Sequence, residues 1–421
     1  MPGKSLQLGL ERCIQDPPQT LVGRRFGVLC NHASVDAEYR PSCEVLAAAF
    51  PGQLASVFSP QHGFWGEQQA NMDETPHGFY EPLSLPLHSL YCQQRFPTDE
   101  MLDGLDCFVI DLQDVGTRVY TFVWTVSHCL EACAARGVHV VLLDRPNPLG
   151  GLVVEGPAIE SGFESFVGRL AIPMRHGLTL GELALWINRQ FDSPASFEVV
   201  PMSGWRREML WPDCSRMWVP TSPNVPRFES LLLYPGQVLF EGTNLSEGRG
   251  TTTPFEFVGA PFICPYRLTR ALESCRLPGL QPVATRFRPT FDKWAGQSCG
   301  GIALRITDPY SLRSYLSTLS VLFCIKRLWP TECEWLPPPY EYELEKMPID
   351  ILSGSARLRE TILTGRTAVA SVETVLTDRV AAASGEAVLV DGIESARKIA
   401  ELAAVDTASW IQTTADCRLY A

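Results

Sequence analysis

A chain of 421 residues exceeds what one ordinary hydrophobic core needs, and 45% hydrophobic with 19% charged residues is a globular balance with material for two domains. A formal net charge of −12 opposes nucleic acid and anionic membrane as partners, because such a surface repels phosphates. A small anionic ligand stays possible, since it needs only a local cluster of Arg, His or backbone N–H groups.

The opening residues, Met1 to Leu10, carry no sustained apolar run before Glu11 and Arg12, which predicts no signal peptide; no later stretch is apolar enough for a membrane span. Phe26-Gly27-Val28-Leu29-Cys30 is a strand-like run ending in Asn31-His32, and a helix-prone stretch, Cys43 to Phe50, follows it. Leu54 to Phe58 is a second strand, ending in Ser59-Pro60-Gln61-His62-Gly63. After a long loop, Pro97 to Leu102 predicts a capped short helix, and Asp106 to Ile110 a strand ending in Asp111 to Arg118. A helix with its apolar face at Phe122, Val126, Cys129, Leu130 and Cys133 leads to the strand Val138 to Leu143, which ends in Asp144-Arg145-Pro146-Asn147-Pro148. Thr179-Leu180-Gly181-Glu182 has the pattern of a capping box. The stretch from Thr221 to Pro261 is dense in Pro, Gly, Asn and Thr and predicts a long polar loop. From about Tyr266 the pattern turns to helix, strand and helix, with a buried helix near Tyr315 to Leu328.

Near-continuous apolar strands separated by helices predict an α/β fold, a Rossmann-like doubly wound parallel sheet buried on both faces. The expected organisation is a catalytic domain over residues 1–262 and a smaller auxiliary α/β domain over 263–421, walling one side of a cleft and ending in a divergent tail. Ligands of such sheets sit outside the carboxyl ends of the strands, where this chain collects His, Asp, Arg and Asn. No GxGxxG, GxxxxGK[ST] or GxSxG follows the first strand, which argues against a nucleotide cofactor. Fourteen cysteines without CxxC spacing, several inside apolar runs, fit reduced core thiols in a cytoplasmic protein better than a metal site.

Several long stretches, in order, resemble the exo-β-N-acetylmuramidases, bacterial enzymes that remove N-acetylmuramic acid from non-reducing ends of peptidoglycan fragments. They are Ser59 to Phe64, His88 to Tyr91, Asp111 to Thr121, Leu143 to Gly151, Glu155 to Pro157, Pro173 to Gly177, Ser222 to Asn224, Tyr234 to Gly236 and Glu241 to Thr252. The resemblance runs from about Gly23 to Gly354 and fades after Thr364. It implies a glycoside hydrolase without cofactor or metal, acting on a muramic acid-containing disaccharide or muropeptide in cell-wall recycling. One position departs from the family: Gln61 stands where Glu is usual, in Pro-Glu-His-Gly. An amide cannot exchange a catalytic proton as a carboxyl group does, so Glu67, in Phe64-Trp65-Gly66-Glu67-Gln68, becomes the nearest replacement.

Glycoside hydrolysis commonly uses two carboxyl groups. Glu67, Glu247, Asp114 and Glu241 are the candidates; Glu247 lies in a Gly-rich loop that lets a ligand approach, and is equally well read as the ion-pair partner of Arg249. Asp111 reads as structural, and Asp114 with Arg118 or Asp144 with Arg145 as loop-holding ion pairs. Arg118, Arg145 and Arg175 are candidates for the lactyl carboxylate, His62 and His176 for a sugar hydroxyl or that carboxylate, and Asn147 for the N-acetyl group. Trp65 and Tyr120 are candidate stacking platforms, while Gln61, Asn31, Asn244 and Arg249 complete the expected binding set. The Glu241 to Thr252 loop is expected to close over the strand ends. Two other readings stand beside this one: a catalytically altered relative that binds amino sugars or muropeptides, marked by Gln61, and a nucleotide-dependent enzyme, which the missing Gly-rich loop disfavours.

Overall fold

The structure, a computed structural model, describes residues 6–69, 72–275, 277–362 and 395–421. The chain forms two compact units: Met1–Val154, His176–Phe228 and Thr407–Ala421 make the first, and Glu155–Arg175 with Glu229–Asp406 the second. The expected division after residue 262 falls inside the second unit, because the strand at Phe257–Ala260 belongs to that unit's sheet.

The first unit is built on seven strands: β1 (Phe26–Leu29), β2 (Leu54–Ser59), β3 (Gly78–Tyr80), β4 (Leu85–Ser89), β5 (Cys107–Ile110), β6 (His139–Leu143) and β7 (Phe197–Val200). Their order is β3-β4-β2-β1-β5-β6-β7, parallel throughout except for β3, which runs antiparallel to β4. Every residue of β1 and β5 is buried, as an apolar strand covered on both faces requires. Without β3, the order is that of a doubly wound dinucleotide-binding sheet, 3-2-1-4-5-6. The chain works outward from β1 to β4, then returns to start β5 on the other side of β1. The loops after β1 and β5 therefore lead away in opposite directions, which opens a crevice at the carboxyl ends of those strands.

Helices α1 (Gly9–Gln15) and α2 (Ser42–Ala49) contribute Leu10, Cys13, Cys43 and Leu46 to a core shared with Phe26, Val28, Val57, Val109 and Val141. Helix α3 (Asp99–Leu102) is capped by Thr98, whose hydroxyl accepts the Met101 N–H. Helix α4 (Phe122–Arg136) joins β5 to β6 and stops at Gly137, whose φ of 66° a side chain would disfavour. Helix α5 (Leu180–Asn188) opens with the expected box: Thr179 Oγ1 accepts the Glu182 N–H, and Glu182 accepts the Thr179 N–H.

The second unit holds an antiparallel sheet, β8 (Phe257–Ala260), β9 (Leu280–Phe287) and β10 (Cys299–Ile306), in the order β8-β10-β9. It also includes α6 (Phe228–Gln237), α7 (Pro265–Leu272), α8 (Ser314–Leu328) and α9 (Pro348–Ser353). The stretch read as one polar loop thus contains α6, a 3-10 turn over Val238–Gly242 and β8; its Leu231-Leu232-Leu233 run is fully buried. No helix among the described residues is long and apolar enough to cross a membrane.

Candidate active site

The crevice between β1 and β5 receives the residues that follow the strands. Asn31 is fully buried: its Oδ1 accepts the Ala33 N–H at 3.1 Å and its Nδ2 donates to the Thr221 carbonyl at 3.4 Å, so it shapes the loop after β1. The loop after β2 carries Gln61 at the centre of a hydroxyl pair. Gln61 Nε2 donates to Tyr91 Oη at 3.0 Å, and Thr121 Oγ1 donates to Gln61 Oε1 at 2.5 Å. Both ends of this buried amide are held by protein hydroxyls. His62 follows in a left-handed conformation, φ 71°, with Nδ1 2.7 Å from the Gln68 carbonyl oxygen. Gly66, φ 69°, packs so closely on the His32 ring that a Cβ would collide with it, and this turn folds Glu67 back until Oε2 comes over Gly63. Glu67 itself is exposed, and Trp65 is 59% exposed with its ring 6.2 Å from that of Tyr80 in a stacked arrangement.

The arginines at the strand ends are committed elsewhere. Arg145 meets Asp111 with two bonds, Nε to Oδ1 at 2.5 Å and Nη2 to Oδ2 at 2.7 Å, and donates a third to the Val35 carbonyl at 3.0 Å. Both partners are buried, so Arg145 holds the ends of β5 and β6 together. Arg118 is fully buried. Asp114 accepts the Gly116 N–H at 2.7 Å, and its Oδ2 faces His176 Nε2 at 3.8 Å; Asp114 Oδ1 has no hydrogen-bond partner. His176, also buried, accepts the Leu178 N–H on Nδ1 at 3.2 Å. Asn147 donates to the Leu178 carbonyl and accepts the Leu149 N–H, which commits it to the turn. Tyr120 is buried, its hydroxyl 2.7 Å from Thr221 Oγ1 and its phenol pushed up by burial, so it packs and does not offer a stacking face.

Asp144 does not pair with the Arg145 side chain. Its carboxylate accepts the Arg145 and Gly181 backbone N–H groups on Oδ1, and the Thr179 and Tyr420 hydroxyls on Oδ2. Burial is the largest influence on it and raises its pKa to about 6, against these donors. A cavity of about 460 Å³ lies beside these loops, lined by Val35, Asp36, Gln113, Arg145, Trp211 and Met217 among others.

The second unit contains its own charged cluster. Glu247 is fully buried between Lys293 Nζ, 2.6 Å from Oε2, and Arg249 Nε, 3.2 Å from Oε1. Arg249 Nη2 also donates to Glu241 Oε1 at 2.6 Å, and Tyr340 Oη donates to Glu241 Oε2 at 2.7 Å. Burial opposes the Arg249 charge, yet Glu241 and Glu247 hold its pKa above the usual value. The ion pair with Arg249, one of the two sequence readings of Glu247, is formed. Asn244 donates to the Glu332 carbonyl and accepts the Glu334 N–H, as a loop brace. Arg175 is buried against Glu155 at 3.0 Å, with burial lowering its pKa, and so is no surface ligand for a carboxylate.

Two family descriptions match the chain in succession: exo-β-N-acetylmuramidase NamZ, N-terminal, over residues 26–229, and the C-terminal part of the same family over 232–382. The chain belongs to the exo-β-N-acetylmuramidase NamZ family. Among its relatives is the peptidoglycan β-N-acetylmuramidase NamZ of Bacillus subtilis strain 168, 41% identical over 331 residues, which are 79% of this chain and 80% of the relative. A DUF1343 family protein from Bacteroides fragilis shares the fold with a TM-score of 0.81 and 27% identity, over 99% of both chains. A second protein of that family and organism, at 24% identity and a TM-score of 0.70, agrees in fold over the same extent. In this NamZ-family chain, sequence reasoning missed Tyr91 and Thr121, the hydroxyls around Gln61. Both lie in quoted motifs, but a hydroxyl far along the chain gives no local sign of its partner.

Proposed function

We propose that this chain is an exo-acting glycoside hydrolase that releases N-acetylmuramic acid from non-reducing ends of peptidoglycan fragments, with its site on the loops after β1, β2 and β5. The observation that carries the reading is the loop from Pro60 to Gln69. It sets a buried, neutral Gln61 between two hydroxyls and, a sharp turn later, displays Trp65 and Glu67 to solvent. Trp65 has the exposed ring that a sugar's apolar face can cover. Glu67 supplies the carboxyl group that protonates the leaving oxygen or activates water, the task for which an amide at position 61 is unsuited. Asp114, with Oδ1 unpartnered and His176 beside Oδ2, is the second carboxyl group of the site. The substrate is a muramic acid-containing disaccharide or muropeptide. None of the fourteen cysteines is in a disulfide, which supports a reducing compartment, and with it cytoplasmic recycling of imported wall fragments.

The test uses an aryl β-N-acetylmuraminide with Glu67→Gln and Gln61→Glu. Glu67→Gln is expected to lower kcat by roughly 10²–10⁴-fold while N-acetylmuramic acid still binds, and Gln61→Glu to be tolerated. Full activity in Glu67→Gln would remove Glu67 from the chemistry. Turnover appearing only in Gln61→Glu would make the natural chain a binding relative.

A further inference from the structure

The chain's final segment, Thr407 to Ala421, returns to the first unit and lies beyond the stretch matched by the family descriptions, which ends at residue 382. It contacts that unit through donors and acceptors aimed at particular groups, not through apolar surface alone. The Trp410 indole N–H donates to the His176 carbonyl at 2.8 Å, while its ring meets Trp186 edge-on at 5.2 Å. Tyr420 Oη donates to Asp144 Oδ2 at 2.6 Å and accepts the Met202 N–H at 3.0 Å, with its ring edge-on to Trp205. The Leu419 N–H donates to Glu182 Oε1 at 2.7 Å.

Each target is a fixing point of the strand-end loops. Asp144 joins the end of β6 to the start of α5 through the Arg145 and Gly181 N–H groups and the Thr179 hydroxyl. Glu182 closes the capping box of α5 and is also bonded to Arg207. His176 faces Asp114. A segment that merely covered a hydrophobic patch would need none of these polar ties, and a buried acceptor such as Asp144 loses definition when one donor is removed.

We propose that residues 407–421 form a positioning clamp, in which Tyr420 and Trp410 fix the loops that carry Asp144 to Asn147 and His176. The clamp rests on the reading of the strand ends as the reactive site, and its test separates the two. In the full-length chain, Tyr420→Phe keeps the ring and Trp410→Phe keeps an aromatic, though smaller, ring, and each removes one donor; Ile411→Ala, at an exposed position of the same segment, is the control. Backbone hydrogen exchange of peptides spanning 144–151 and 176–182 reads positioning directly, and kcat/KM on the aryl muraminide reads its consequence. Both donor-deleted variants are expected to exchange about tenfold faster there and to lose about tenfold in kcat/KM at a temperature where they remain folded, with Ile411→Ala like wild type. Unchanged exchange overturns the clamp. Faster exchange with kcat/KM within twofold of wild type overturns its role in the reaction and leaves only stabilisation. A wild type without turnover refutes the hydrolase reading, and the clamp is then judged by the exchange rates and by N-acetylmuramic acid affinity, which should fall in both variants.

Discussion

Replacing Arg145 by Met separates its two readings, as substrate ligand or as internal tie. Met keeps most of the buried volume while deleting the guanidinium. Asp111, fully buried, then loses bonds of 2.5 and 2.7 Å at once, and the Val35 carbonyl loses its donor at 3.0 Å. Stranding one member of a buried ion pair costs about 3–5 kcal/mol, because the remaining charge is left without compensation. At about 1.4 kcal/mol per decade, that raises the unfolding constant by roughly 10²–10³·⁵. For a domain of this size it corresponds to a fall in Tm of roughly 6–20 °C. Urea unfolding of Arg145→Met, Asp111→Leu and the double variant measures the coupling; the double variant should recover most of the loss. A loss below about 1 kcal/mol in Arg145→Met, accompanied by collapse of N-acetylmuramic acid affinity, would refute this assignment and restore Arg145 as a ligand.

Asp144 gives a pH signature. Its folded pKa of about 6 lies above the ordinary value, so its contribution to stability is fully present below about pH 4 and is lost as pH rises through 6. Asp144→Asn should therefore gain about 3 kcal/mol relative to wild type between pH 4 and pH 7, measured by denaturant unfolding at each pH; parallel curves would contradict the shift. Trp65→Ala should raise KM about three- to tenfold with Tm unchanged, since the ring is mostly exposed; an unchanged KM would remove Trp65 from the site. Thiol titration in denaturant without reductant should find fourteen thiols. Diamide should join Cys275 to Cys324 first, because their sulfurs lie 3.7 Å apart and the hydrogen bond with Cys324 lowers the Cys275 thiol to about 7; a different first disulfide, mapped by mass spectrometry, would contradict this.

The sheet was legible because burial on both faces leaves a mark that needs no partner: β1, β2, β5 and β6 all lie within apolar runs. Strands β3 and β4 escaped notice. Leu85 to Ser89 contains Pro86 and is only partly buried, and Gly78 to Tyr80 is mostly exposed, so their composition reads as loop. The polar strand ends were also legible as a class, but their individual roles were not. Arg145 and Arg175 have the chemistry of carboxylate ligands, and only the fold reveals that Asp111 and Glu155 already occupy them. The tail failed for the same reason: nothing local in Trp410 or Tyr420 points to His176 or Asp144, more than two hundred residues away.

Incubation of the purified full-length protein with a disaccharide bearing β-linked N-acetylmuramic acid at its non-reducing end tests the central claim most directly. The expected result is stoichiometric release of free N-acetylmuramic acid and the partner sugar. Recovery of the intact disaccharide, even when it binds, would contradict the assignment of this chain as a hydrolase.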